Sequence, residues 1–99
     1  MKLWEIAHSR TGDKGNVSNI SLIAYEAEDF ALIQEKVTAE RVKQWFGNVV
    51  QGEVVRYELP QLGALNFVLY NALAGGVTRA TTLDKHGKCL SSLLLAMEV

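Results

Sequence analysis

The sequence predicts an α+β fold, a two-layer sandwich with two or three helices on one face of a mainly antiparallel sheet of about five strands. Segments that alternate in side-chain character, as strands do, occur near both ends of the chain and in its middle. Segments with apolar residues at helical spacing lie between them. No repeat, low-complexity tract or linker interrupts the 99 residues, which predicts a single domain spanning residues 1–99.

The composition indicates an ordered globular protein, because 48% of the residues are hydrophobic, 21% are charged and one is proline. Ten basic and eleven acidic residues give a formal net charge of −1, which argues against a nucleic-acid or membrane partner. Cys89, the single cysteine, cannot form an internal disulfide, and the N-terminal residues contain no apolar run of secretory length. We therefore expect a cytoplasmic protein. A domain of this size is only marginally stable alone, so a homo-oligomer is expected.

Two strands are expected in the first quarter of the chain, at Leu3–His8 and Val17–Ala24. Between them lies the polar stretch HSRTGDKGNVSN, His8–Asn19, which is longer than a tight hairpin connection requires. In the first strand, His8 shares one side with Trp4 and Ile6. This pattern predicts a hydrogen-bonded core histidine.

The middle of the chain predicts two helices and a strand. The first helix covers Glu26–Val37, and Thr38 caps a second one that ends at Gly47. An apolar stripe on the second helix consists of Val42, Trp45 and Phe46. The segment Glu53–Leu59 alternates again and ends at Pro60, which cannot donate to a sheet.

The segment Gln61–Leu73 is interpreted as a third helix. One face of this helix would carry Leu62, Leu65, Leu69 and Leu73, with the Asn66 amide half-buried among them. Its other side is also apolar. A helix on the outside of a small monomer would have a polar second side. We therefore infer that the second face of this helix meets another subunit or another chain.

The last quarter predicts a hairpin of two strands, Val77–Leu83 and Lys88–Met97, joined by a type I turn at residues 84–87. The order of all these elements suits a ferredoxin-like arrangement with an added edge strand.

The polar stretch His8–Asn19 is a candidate binding loop. It holds five hydrogen-bonding side chains, Arg10, Asp13, Lys14, Asn16 and Asn19. Gly12 and Gly15 allow positive φ angles and consecutive exposed N–H groups, the backbone geometry that cradles anions. The alternative is a long hairpin connection whose aspartate, asparagines and glycines are turn residues.

A second polar cluster, Gly75, Gly76, Val77, Thr78 and Arg79, places another glycine pair before a cation. Two or three cations converging on one spot would hold an anionic small molecule, since arginine presents a planar fork to carboxylate or phosphate. The alternative is that Arg10 and Arg79 form surface ion pairs with Asp13 or Glu5, which would contribute little.

The sequence predicts no metal site and no cofactor. His8, His86 and Cys89 do not fall at metal-ligand spacing. There is no nucleophile-elbow motif, and GDKGN matches neither the P-loop nor the dinucleotide fingerprint.

Four blocks carry a family resemblance: SRTGDKGNVSNISLIA, TAERVKQWF, RYELPQLGALNFVL and ALAGGVTRATTLDKHGKCLSSLLLAMEV. In this order they span nearly the whole chain, and they resemble the C-terminal, ferredoxin-like domain of the acyclic terpene utilisation (AtuA-like) family. In that family the domain usually follows a much larger N-terminal domain. The resemblance therefore implies a free-standing version, working alone or with a separately encoded large AtuA-like partner. It also implies a connection with the catabolism of branched, terpenoid acyl-CoA compounds, and no catalytic residues can be carried over.

The residues that match the family blocks are the candidate ligand-binding set: Arg10, Gly12, Asp13, Lys14, Gly15, Asn16, Asn19, Asn66, Gly75, Gly76, Thr78 and Arg79. Three positions depart from the family pattern. Thr11 stands where serine is common, Ala74 where glycine is common, and Thr82 where arginine is frequent. The last departure removes a second basic group from that predicted strand.

Three functions remain open. The leading hypothesis is a small accessory or binding subunit that self-associates and binds an anionic metabolite, such as a CoA thioester or its carboxylate. The second is a small lyase, hydratase or isomerase with Asp13 or His8 as general base and Arg10 or Lys14 as oxyanion stabiliser. The third is a structural oligomerisation module, in which protein groups would satisfy the polar side chains and no cleft would remain.

Overall fold

A computed structural model of the chain describes residues 1–14, 17–71 and 90–99. Its strands in these ranges are β1 (Ala7–Lys14), β2 (Val17–Ala24), β3 (Val54–Leu59) and β4 (Ala64–Tyr70), and its α-helices are α1 (Ala27–Lys36), α2 (Ala39–Phe46) and α3 (Leu90–Leu95). The four strands form one antiparallel sheet in the order β1-β2-β4-β3. This is the predicted α+β, ferredoxin-like fold, with four described strands rather than about five.

The first hairpin differs from the sequence-based prediction. Leu3–Glu5 forms a 3₁₀ turn instead of a strand, and β1 runs on through the polar stretch to Lys14. Its pairing with β2 extends from Ala7 opposite Ala24 to Lys14 opposite Val17. The long-loop prediction is therefore wrong, because pairing with β2 satisfies the backbone groups of residues whose local preference is for turns.

The two helices of the middle segment are confirmed. The Thr38 hydroxyl caps α2 by accepting a hydrogen bond from the Arg41 backbone N–H at 3.1 Å. Gly47 follows α2 with φ +56°, a conformation that glycine adopts without strain. The predicted strand at Glu53–Leu59 is also confirmed as β3.

The predicted third helix is wrong. Pro60–Leu62 forms a 3₁₀ turn, in which Leu62 is largely exposed, and the chain then enters β4. Leu65, Phe67 and Leu69 are fully buried and follow the two-residue period of a strand. Strand β4 lies between β2 and β3 and carries Ala64, Val68 and Tyr70 on its other face, which is why the segment is apolar nearly all round.

The C-terminal segment also differs from its prediction. Leu90–Leu95 is a helix rather than part of a strand, and its buried residues Leu90 and Leu94 lie one turn apart. Helix α3 packs against β1, where the Ser9 hydroxyl donates to the Ser91 carbonyl oxygen at 3.0 Å and the Ser91 N–H donates to the Thr11 hydroxyl at 3.0 Å. The predicted strand Val77–Leu83 and the turn at 84–87 lie outside the described residues.

The core lies between the helices and one face of the sheet. Its fully buried side chains include Leu22 and Phe67 from the sheet and Ile33, Val42 and Leu94 from the three helices. No described helix is long and apolar enough to cross a membrane.

The Arg56 side chain links β3 to the end of α1 by hydrogen bonds. Its Nη1 donates to the carbonyl oxygens of Gln34 at 2.8 Å and Val37 at 3.0 Å, and its Nη2 bonds Glu58 Oε2 at 2.9 Å. The guanidinium thereby satisfies carbonyl groups that the end of a helix leaves without intrahelical partners.

Candidate binding face

The second face of the sheet, which we call the open face, points away from the described helices. Ile20, Leu22 and Phe67 point into the core. Because side chains alternate along a strand, the residues between them lie on the open face. The open face consists of His8, Arg10 and Gly12 from β1, Val17, Asn19, Ser21 and Ile23 from β2, Val55, Tyr57 and Leu59 from β3, and Ala64, Asn66, Val68 and Tyr70 from β4.

Strand register aligns four of these residues in one row across the sheet, which we call the central row. Arg10 lies opposite Ser21, Ser21 opposite Asn66, and Asn66 opposite Tyr57. Arg10 and Asn66 come from separate blocks of the predicted ligand-binding set, and the fold brings them within two strand spacings, about 10 Å. Two predicted site residues that are distant in sequence are therefore neighbours on one surface.

The side-chain oxygen of Asn66 is the least satisfied polar atom of the central row. Asn66 Oδ1 is buried from solvent and has no hydrogen-bond partner. A buried acceptor left unpaired costs about 1–3 kcal/mol, and such an atom in a native fold calls for a donor from elsewhere. The half-buried amide predicted from sequence is confirmed, although on a strand instead of a helix.

Arg10 brings positive charge to the central row. Its side chain is exposed, and no hydrogen bond or ion pair of that side chain is found among the described residues. The Glu5 carboxylate, one of the acids considered as its partner, instead accepts a hydrogen bond from the Lys2 backbone N–H at 2.7 Å. The guanidinium of Arg10 is thus available to an anion.

Gly12 and Asn19, also in the predicted set, face each other in the next row of the open face. A Cβ at position 12 would lie 3.2 Å from Asn19 Nδ2, closer than ordinary contact. The missing side chain of Gly12 therefore makes room for the exposed Asn19 amide to lie over β1. In this row glycine has a packing role, rather than the turn role predicted for it.

The remaining predicted site residues are only partly located. Asp13 pairs with Ser18, and Lys14 pairs with Val17, at the end of the first hairpin. The others, Gly15, Asn16, Gly75, Gly76, Thr78 and Arg79, lie outside the described residues. Whether the early and late glycine clusters converge on one cleft therefore stays a prediction.

His8 does not occupy the predicted core position. It is exposed at the β1 edge and stacks on Tyr25, with ring centroids 5.3 Å apart and an interplanar angle of 22°. The prediction is wrong because β1 begins at Ala7, so alternation places Ala7 toward the core and His8 on the open face.

Sequence reasoning missed Ser21 and Tyr57 as members of the candidate site. Alternation in β3 places Tyr57 on the same side of the strand as Val55 and Leu59. The strand register that aligns Tyr57 with Asn66 could not be predicted from the sequence.

A separate depression of about 310 Å³ lies where β2 enters α1, between Tyr25–Ala27 and Pro60–Gly63. Glu26 is its charged lining residue, and the central-row residues are not part of it. Within residues 1–14, 17–71 and 90–99, no three His, Cys, Asp or Glu side chains come together as a metal site requires.

Fold and site together define a class: a small ferredoxin-like α+β domain with helices on one sheet face and a polar row across the other. The family model described as the AtuA ferredoxin-like domain matches residues 1–99, and the chain belongs to this family. This confirms the resemblance found in the sequence. No curated protein and no solved structure matches the chain.

Proposed function

We propose that this domain is a small accessory or binding module that holds an anionic metabolite on its open face. The observation that carries the proposal is the central row itself, in which an unpaired guanidinium and an unpaired buried acceptor lie two strands apart. A ligand with both an anionic group and a hydrogen-bond donor would satisfy both residues at once, when the partly exposed Asn66 amide turns its oxygen toward the face.

The chemistry of the central row favours a carboxylate or a phosphate carried by a larger molecule. Arginine binds such groups through parallel N–H donors, whereas Asn66 Oδ1 needs an N–H or O–H group. A CoA thioester has both, because its phosphates are anionic and its pantetheine amides donate N–H groups. The aliphatic residues Val55 and Val68 beside the row would contact a branched acyl chain.

The family relationship supports the metabolic setting of this proposal. The resemblance to AtuA-like proteins connects the domain with the breakdown of terpenoid acyl-CoA compounds, in the cytoplasm and beside a larger AtuA-like chain. In that setting the domain presents the ligand, and the larger chain supplies further contacts.

Thermal stabilisation by ligand tests the proposal. Branched short-chain carboxylic acids, their CoA thioesters and free CoA are added to the purified protein, and the shift in Tm is measured. A ligand present at 100 times its Kd should raise the free energy of unfolding by about 2.7 kcal/mol. Arg10→Gln should abolish the shift for the ligand that produces it.

The matched control is Lys36→Gln, which removes an exposed cation on α1, on the opposite side of the sheet. This variant should keep the full shift. If none of the ligands moves Tm, or if Arg10→Gln responds as the wild type does, the proposal is wrong.

An enzymatic function is the second candidate, and the relation of His8 to Arg10 favours it. Both side chains lie on the open face two residues apart on β1, so an imidazole base and a guanidinium could contact one substrate. The test measures turnover of the acyl-CoA that raises Tm. If His8 is the base, His8→Gln should lose this turnover and keep the Tm shift. If the wild type shows no turnover, the enzymatic function is wrong and only the binding function is left.

A further inference from the structure

The open face is rich in apolar surface around its central row. Tyr57 is 52% exposed, Tyr70 41% and Leu59 40%, while Ile23, Val55 and Val68 are partly exposed between them. Several large apolar side chains grouped on one sheet face are typical of an interaction surface.

We propose that a second copy of this chain docks face to face on the open face, about a two-fold axis that runs parallel to the strands. Sheets that pack face to face lie about 10 Å apart with strand directions within about 30°. The inference goes beyond the proposed function, since it concerns which chain covers the face when no ligand is bound.

Charge decides the direction of the axis. Arg10 lies on edge strand β1, whereas the open-face residues of the other edge, β3, are the uncharged Val55, Tyr57 and Leu59. An axis perpendicular to the strands would place β1 on its own copy and Arg10 near Arg10 of the second copy. An axis parallel to them places β1 over β3 of the second copy, so Arg10 meets the face of Tyr57, a favourable cation–π contact.

The same axis supplies the donor that Asn66 lacks. Rotation about it preserves the rows and exchanges β2 with β4, so Asn66 faces Ser21 of the second copy. Oδ1 is buried and has no partner, but the Asn66 amide is partly exposed, so a turn of the amide presents the oxygen to the serine hydroxyl as an acceptor. Two-fold symmetry repeats both contacts, which makes the central row self-complementary.

The size of the face limits the area that the dimer can bury. Four strands of six to eight residues cover roughly 450 Å² in projection, and a standard interface buries about 800 Å² per partner. The contact is therefore small, and the dimer should dissociate in the micromolar range. Arg10 lies at its rim, where one edge of the guanidinium stays open to an anion while its plane lies on the tyrosine ring.

Sedimentation velocity from micromolar to millimolar protein tests the inference. The wild type should convert from monomer to dimer as the concentration rises. Tyr57→Arg should weaken the dimer at least tenfold, because it brings two cations together. Adding Arg10→Glu to Tyr57→Arg should restore it by pairing opposite charges across the interface.

The rescue cannot occur within one chain, because β1 and β3 are separated by two strands, about 14 Å in total. Gln44→Arg, which adds a cation at an exposed position of α2, is the control and should dimerise as the wild type does. Circular dichroism verifies that each variant is folded.

A wild type that stays monomeric at every concentration would overturn the proposal, and would mean that another chain or a ligand uses the face. If Tyr57→Arg weakens the dimer and the added Arg10→Glu does not restore it, the proposed direction of the two-fold axis is wrong. Because the dimer and the ligand would share Asn66, they compete for the open face, and the Tm shift of the wild type and of Arg10→Gln is therefore measured on dilute, monomeric protein.

Discussion

The indole Nε1 of Trp45 donates a hydrogen bond to the Leu93 carbonyl oxygen at 2.8 Å, and it joins α2 to α3 across 48 residues of sequence. Trp45 is 44% exposed, so its place in the apolar stripe of α2 serves helix docking more than core packing. The same carbonyl oxygen also accepts a hydrogen bond from the Ala96 backbone N–H at 3.2 Å, so the indole supplies its second donor at the end of α3.

Trp45→Phe should lower the free energy of unfolding by about 1 kcal/mol, because it removes this bond and keeps an aromatic ring. Urea denaturation followed by far-UV circular dichroism measures the change. Trp4→Phe is the matched control, since Trp4 is 57% exposed, and it should change stability by less than half as much. Equal losses in the two variants would show that the Leu93 contact contributes nothing.

Arg56→Met should lower the free energy of unfolding by about 2 kcal/mol. The methionine keeps the aliphatic stem, and the loss comes from the carbonyl oxygens of Gln34 in α1 and of Val37 just after it, which lose a charged donor. Chemical denaturation gives the value. Glu58→Gln separates the carbonyl bonds from the ion pair, because Glu58 is 41% exposed and an exposed pair contributes under about 1 kcal/mol. A larger cost for Glu58→Gln than for Arg56→Met would reverse this assignment.

Asn66→Leu should raise the free energy of unfolding of dilute protein by about 1 kcal/mol, since it removes a buried acceptor without a partner. Asn66→Asp is the contrast, because it has nearly the same shape and places a charge at the same partly buried position, and it should destabilise. Thermal and urea denaturation at low concentration measure both. A loss of stability in Asn66→Leu would show that Oδ1 already has a donor in the folded chain.

Glu98 should make stability depend on pH in the acid range. A hydrogen bond from the Met1 amino group, followed by the hydrogen bond and charge of Lys2, lowers the pKa of Glu98 below its ordinary value of 4.5. A lowered pKa means that the unfolded chain binds the proton more tightly. The stabilisation is therefore fully present above pH 4.5 and is lost as the pH falls through the lower pKa of the folded state.

Glu98→Gln should remove that part of the pH dependence and leave the rest of the profile unchanged. Glu53→Gln, which removes an exposed carboxylate on another part of the surface, serves as the control. Free energies of unfolding measured at a series of pH values compare the variants. Parallel profiles for the wild type and Glu98→Gln would contradict the role given to the terminal charges.

The elements predicted correctly are those with local signals. Helix α2 has its capping threonine, its apolar stripe and its closing glycine within ten residues of sequence, and α1 and β3 are set by periodicity of a similar range. The apolar run that became β4 fits either a helix or a strand by composition. A helix would pair its backbone groups internally, whereas the position between β2 and β3 pairs them with two strands and buries Leu65, Phe67 and Leu69 together on one face.

By itself, the sequence predicted the α+β class, the family and, as candidate site residues, four that lie on the open face: Arg10, Gly12, Asn19 and Asn66. Tertiary structure alone decided that these residues share a surface with Ser21 and Tyr57, and that β1 continues through a glycine-rich polar stretch. The physical reason is that a strand obtains its hydrogen bonds from other parts of the chain. Its register, and so the neighbours of each side chain, cannot be derived from local residue preferences.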